Sequence, residues 1–173
     1  MKKSFYISFM GLLIGVALIL SYIESLIPFF YGIPGMKLGL ANMAIVMALF
    51  TLGNKEAVIV NVIRIVLAGL MFGNLAGIIF SIAGAAVSFL FMLISKKSGL
   101  FSIKGVSIVG GVTHNAAQLV IAAFVVKTSG IIYYMPFLIV AGALTGLLNG
   151  IIASGVEPVF RKIYRSNYSK GEL

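Results

Sequence analysis

Six runs of apolar residues occupy almost the whole chain, at about 5–28, 38–52, 56–72, 75–95, 105–126 and 131–154. Most approach the ~20 residues that a helix needs to cross about 30 Å of hydrocarbon at 1.5 Å per residue. Breakers divide them: Pro28 and Gly32-Ile33-Pro34-Gly35, Gly53-Asn54-Lys55-Glu56, Gly73-Asn74, and the stretches 96–104 and 127–130. Lipid offers a backbone no hydrogen-bond partner, so spans of this length are helices. The expectation is an all-α integral membrane protein of six transmembrane helices. One membrane domain covers 1–164, and 165–173 forms a basic cytoplasmic tail. The second run is short, so it is expected to begin deeper, with the segment 31–37 folding over its outer end. A tight hairpin is expected at Gly73-Asn74.

Composition supports this reading. Hydrophobic residues make up 61% of the 173 and charged residues only 10%, too little polar surface to keep a soluble domain in water. The start, Met1-Lys2-Lys3 before a long apolar run, resembles a secretory signal. The run outlasts a signal core and lacks a small-x-small cleavage site, which favours an uncleaved first span. The absence of cysteine excludes disulfides, thiolate metal sites and cysteine nucleophiles. The net charge of +9 does not indicate nucleic acid, because the cations sit between the apolar runs and at the ends. An anionic lipid bilayer surface suits them better, as it does the basic stretch from Val156 onward, which reads as a surface anchor.

The cations also set a direction. With both ends in the cytoplasm, the inner side of the cell membrane holds Lys2, Lys3, Lys55, Lys96, Lys97, Lys104, Arg161, Lys162, Arg165 and Lys170. The outer side holds Lys37 and Lys127. Ten against two is a strong positive-inside bias.

Polar side chains at membrane depth are costly and need partners or water. Arg64 lies near the middle of the third span, with Asn61 one turn earlier. His114, Asn115 and Gln118 form a polar patch in the fifth. Glu24 lies in the outer part of the first span, and Lys37 and Asn42 flank the start of the second. By depth these groups converge between the midplane and the outer surface. The expected site is an outward-opening pocket lined by Lys37, Asn42, Arg64, His114, Asn115 and Gln118, with Glu24 nearby. Fixed cations, an imidazole and amides favour an anionic or carbonyl-rich ligand. The competing readings are interhelical hydrogen bonding, which is the commoner use of a single Asn or Gln in a span, and a proton relay. A relay would want a second carboxylate beside Glu24.

Small residues recur at helix-packing spacing, Gly11 and Gly15 in the first span and Gly142, Gly146 and Gly150 in the last. Internal packing is the first explanation, and a face for another membrane subunit the second.

Leu20-Ser21-Tyr22-Ile23-Glu24-Ser25-Leu26-Ile27-Pro28 and Pro34-Gly35-Met36-Lys37-Leu38-Gly39-Leu40-Ala41-Asn42 resemble the Gx transporter family, also labelled heptaprenyl diphosphate synthase component I. The likeness continues through Arg64-Ile65-Val66-Leu67, Gly105-Val106-Ser107 and the pattern His114-Asn115-x-x-Gln118, and ends at about Tyr164. The family in turn resembles the substrate-binding S components of energy-coupling factor transporters. That resemblance implies six helices, a small-molecule ligand captured from outside, a transmembrane T subunit and cytoplasmic ATPases. S components often dock through an Ala-x-x-x-Ala motif on the first helix, for which Gly11-x-x-x-Gly15 is the nearest match here.

The synthase label can be set against the residues. Prenyl diphosphate synthases hold magnesium diphosphate on aspartate-rich motifs, because Mg²⁺ prefers carboxylate oxygens. This chain has no aspartate and only four glutamates, unclustered. The expectation is a protein that is not an enzyme, with no cofactor, no metal and no P-loop. The leading function is an S-component-like binding subunit for a small organic ligand, anionic or amphipathic. The alternative is a non-catalytic membrane subunit serving isoprenoid or quinone synthesis, partnered by a prenyl synthase subunit, or a membrane redox system. A third is a scaffold with its polar groups satisfied internally.

Overall fold

The computed structural model describes residues 2–26, 39–127 and 129–169. Lys37 and the expected 31–37 cover lie outside the described residues. Among the described residues six α-helices follow one another: α1 (Lys2–Leu26), α2 (Asn42–Thr51), α3 (Asn54–Phe72), α4 (Leu75–Ser98), α5 (Ile103–Val126) and α6 (Met135–Ser169). A 3-10 turn, Ser129–Tyr134, leads into α6. Four of the six, α1, α4, α5 and α6, are long and apolar enough to cross a membrane. α3 has 19 residues and carries Asn54, Lys55, Glu56, Asn61 and Arg64. Large apolar side chains such as Leu70, Leu75, Phe124 and Val140 are exposed around the bundle, as a hydrocarbon surround allows.

Local chemistry fixes the helix ends. The side chain of Asn74 accepts from Gly77 N at 2.7 Å and starts α4 immediately after α3, giving the hairpin expected there. Gly99, with φ of 70°, ends α4 behind Lys96 and Lys97, which complement the negative end of the helix dipole. Ser102 plays the Asn74 part for α5.

α2 is the centre of the bundle. It packs against α1, α3, α5 and α6, and Ala44 through Leu49 are all buried. A helix apolar all round belongs in an interior. Ten residues span about 15 Å, half the hydrocarbon thickness, so α2 does not cross by itself. Its last carbonyls face protein and need donors. Lys96 Nζ donates to Leu49 O at 2.7 Å and lies over the Phe50 ring, and Arg161 Nη2 donates to Phe50 O at 3.0 Å. Arg161 also pairs with Glu157 at 2.5 Å. Nearby, Tyr6 Oη donates to Glu56 Oε1 at 3.1 Å. These contacts put the start of α1, the end of α2, the start of α3 and the end of α4 at one Lys-rich end of the bundle.

The expectation of a surface anchor from Val156 onward is corrected here. α6 continues unbroken to Ser169, and Val156, Phe160 and Tyr164 pack against the main apolar core. Phe9 meets Phe160 and Tyr164 with ring centroids 5.4 and 5.7 Å apart. The apolar face of this stretch packs with α1, and Arg161 on it serves the end of α2.

The glycines of α6 are packing residues. A Cβ on Gly142 would lie 2.6 Å from Gly111 O, one on Gly146 2.7 Å from Ser107 O, and one on Gly150 2.7 Å from Lys104 Cα. Only bare backbones let α5 and α6 approach this closely. Gly11 and Gly15 differ, since a Cβ on either would meet nothing within 4 Å.

Candidate functional site

The end of α2 away from the lysines is organised by Gly39. Its N–H donates to Glu24 Oε1 on α1, and its carbonyl accepts from Asn149 Nδ2 on α6 at 2.9 Å and from Asn42 N at 3.0 Å. Its φ of 86° suits glycine. A Cβ there would also fall 2.8 Å from Asn42 Nδ2 and 4.0 Å from His114 Cδ2. The chain entering α2 is thus tied to α1 and α6 and faces α5.

His114 and Gln118 lie one turn apart on α5, exposed 2% and 1%. Both rest on Gly84 of α4, where a Cβ would lie 2.8 Å from Gln118 Cγ and 3.1 Å from His114 Nδ1. The imidazole therefore sits between Gly39 and Gly84. Asn115 points elsewhere: its Nδ2 donates to Leu138 O of α6 at 3.1 Å, a bond between helices.

Arg64 is 2% exposed. Its Nη2 donates to Asn61 Oδ1 at 2.6 Å, and Glu24 is close enough for its charge to act on the guanidinium. Taking a guanidinium out of water costs several kcal/mol even after relaxation, so such groups are normally held by partners. Arg64 Nε has no hydrogen-bond partner among the described residues. The same is true of Asn42 Nδ2, of Ser21 Oγ one turn before Glu24, and of Ser81 Oγ one turn before Gly84. Ser21 and Ser81 are 1% and 2% exposed. Donors of this kind, spread over α1 to α4, can serve a ligand that presents acceptors.

Four of the seven residues expected from the sequence, Glu24, Asn42, His114 and Gln118, meet at Gly39 or Gly84, and Arg64 is linked to them through the charge of Glu24. Asn115 turns to α6, and Lys37 lies outside the described residues. Gly39, Ser21 and Ser81 were not picked out by sequence reasoning. Ser81 had a signal, since Ser81, Ser88 and Ser95 recur every seven residues on the buried side of α4. Among the described residues no three of His, Asp or Glu gather in a group able to hold a metal ion. A cavity of about 250 Å³ opens beside the cluster between α3 and α4, and Asn61 contributes to its wall.

Neither the curated proteins nor the solved structures gave a match to this chain. A family does match, described as heptaprenyl diphosphate synthase component I, over residues 13–156. That stretch contains every element from the second half of α1 to the middle of α6, with all the residues of the polar cluster. The chain belongs to the heptaprenyl diphosphate synthase component I family.

Proposed function

We propose that the protein is a ligand-binding membrane subunit that works in the manner of an energy-coupling factor S component. It takes a small organic ligand, anionic or amphipathic, at the cluster formed by Glu24, Asn42, Arg64, His114 and Gln118. The observation that carries this reading is the set of buried donors, Arg64 Nε and Asn42 Nδ2 foremost, with no partner among the described residues. A scaffold would pair such groups internally. The Lys-rich end faces the cytoplasm, as the positive-inside bias requires, so the cluster lies toward the outside. Lys37 and Asn115 remain candidates for the mouth. Gly11 and Gly15, with nothing packed on them, offer α1 to a T subunit coupled to cytoplasmic ATPases.

The test is mass spectrometry of small molecules released from the purified protein. An organic anion or amphiphile is expected from the native chain, and less of it from folded Arg64→Ala and His114→Ala proteins. Equal recovery from all three would refute the site.

The family description favours a second reading, in which the same pocket serves a prenyl synthase partner as a non-catalytic membrane component. Affinity purification separates the two. A T subunit with ATPases copurifies in the first case, and a soluble prenyl synthase in the second.

A further inference from the structure

The space between α3 and α4 is closed at one end and open at the other. Next to their connection the helices touch so closely that a Cβ on Gly69 would lie 2.1 Å from Ile78 Cγ1. One turn further on they part. The resulting groove of about 250 Å³ runs between Val58, Val62 and Ile65 on α3 and Ile82, Ala86 and Phe89 on α4. Val58, Val62 and Ile82 are 41%, 50% and 47% exposed, so its walls form part of the outer, lipid-facing surface. Among the described residues lining it, Asn61 is the one polar side chain, and Asn61 Oδ1 holds the Arg64 guanidinium.

We infer that this groove is a lateral binding site for one aliphatic chain of a single-chain amphiphile with an anionic head, the head reaching Asn61 and, behind it, Arg64. Three features select that occupant. The groove opens at hydrocarbon depth, where the surrounding solvent is alkyl chain. Its volume is below the ~300–1,000 Å³ of pockets that take compact drug-sized ligands, and suits a segment of one chain. The one polar side chain among the described residues lining it, Asn61, accepts from Arg64, a buried cation behind the wall whose Nε lacks a partner among the described residues and which complements an anion and not a second alkyl chain. Asn61 lies seven residues from the start of α3, about 10 Å along the helix from the Lys-rich end. With that end cytoplasmic, the amphiphile enters from the inner leaflet. The groove approaches the proposed ligand cluster through Arg64, but its walls are residues outside that cluster, so labelling of α3 and α4 is read apart from ligand recovery at Gly39 and His114.

The experiment uses the purified full chain in lipid nanodiscs with a diazirine-bearing hexadecyl phosphate, the crosslinked residues being mapped by mass spectrometry. Label is expected to concentrate on the facing surfaces of α3 and α4. Ala86→Phe, whose ring would enter the groove from an exposed position, is expected to cut it several-fold. Leu148→Phe on the exposed side of α6 should leave it unchanged. Val58→Phe fills the groove from the other wall and gives the same readout should Ala86→Phe fold poorly. Asn61→Leu is expected to reduce labelling by the phosphate probe and not by the matching diazirine hexadecanol. Label spread evenly over all lipid-facing helices, or labelling indifferent to both filling variants, overturns the site. Equal response of phosphate and alcohol probes to Asn61→Leu overturns the anionic head.

Discussion

The two ends of α2 lie about 15 Å apart and treat buried polarity in opposite ways. At the Lys-rich end the exposed carbonyls of the helix meet Lys96 and Arg161, Arg161 meets Glu157, and Glu56 meets Tyr6. The Thr51 hydroxyl lacks a partner there, and Glu157 Oε1 has the ion pair with Arg161 in place of a hydrogen bond. At the other end the backbone is again held, through Gly39 to Glu24 and Asn149. The side chains are not: Arg64 Nε, Asn42 Nδ2 and the hydroxyls of Ser21 and Ser81 lack partners among the described residues. One end of the same helix is arranged for stability, and the other keeps polar capacity in reserve at a cost in stability. Such a reserve is what the proposed ligand site would draw on.

The largest effect is expected from breaking the first end. Lys96→Met and Arg161→Met each leave a helix carbonyl without its cationic donor, a loss of about 1–3 kcal/mol per bond. Together they should lower the melting temperature in detergent by several degrees while leaving ligand recovery per folded molecule intact. Gly39→Ala comes next. The positive φ and the 2.8 Å approach to Asn42 Nδ2 should cost about 1–2 kcal/mol and impair binding as well, since the turn carries both. Arg64→Met takes away the charge that faces Glu24 and the donor to Asn61 Oδ1, so it should cost about 1–3 kcal/mol and lose binding as well, unlike the Lys96 and Arg161 variants. Ligand recovery that stays intact in folded Arg64→Met would erase the contrast between the two ends.

Much of this plan could be read from the chain, for identifiable reasons. Helix number and the breaks between helices follow from apolar run length and from Gly, Pro and Asn, which act locally. The packing role of Gly142, Gly146 and Gly150 follows from their spacing. Arg64, His114 and Gln118 stand out because a polar residue in a hydrocarbon-length run is conspicuous by itself. What could not be read depended on direction around a helix. His114 and Asn115 are adjacent in sequence yet face α4 and α6, about 100° apart on the helix. Gly39 lay within the resembling stretch but not among the expected site residues, because its part rests on Glu24 and Asn149, 15 and 110 residues away. The fate of 156–164 turned on whether α1 would cover its apolar face, which a basic amphipathic pattern leaves open.

The smallest effect is the sharpest test of the reserve. Ser81 is 2% exposed, its hydroxyl has no partner among the described residues, and it lies one turn from the glycine that seats His114 and Gln118. Ser81→Ala removes one oxygen and leaves the backbone alone. If the hydroxyl only fills space, the substitution relieves an unsatisfied group and stability should hold within about 0.5 kcal/mol or rise slightly. Ligand affinity should then be unchanged. If the hydroxyl belongs to the reserve, stability behaves the same way, but affinity falls several-fold, because the ligand loses a hydrogen bond worth about 1 kcal/mol. Ser88 provides the control on the same helix face. Its hydroxyl donates to Gly110 O at 2.8 Å, so Ser88→Ala should lower stability by about 1 kcal/mol and leave affinity alone. The two serines, seven residues apart and chemically identical, should therefore exchange effects: one moves binding without stability, the other stability without binding.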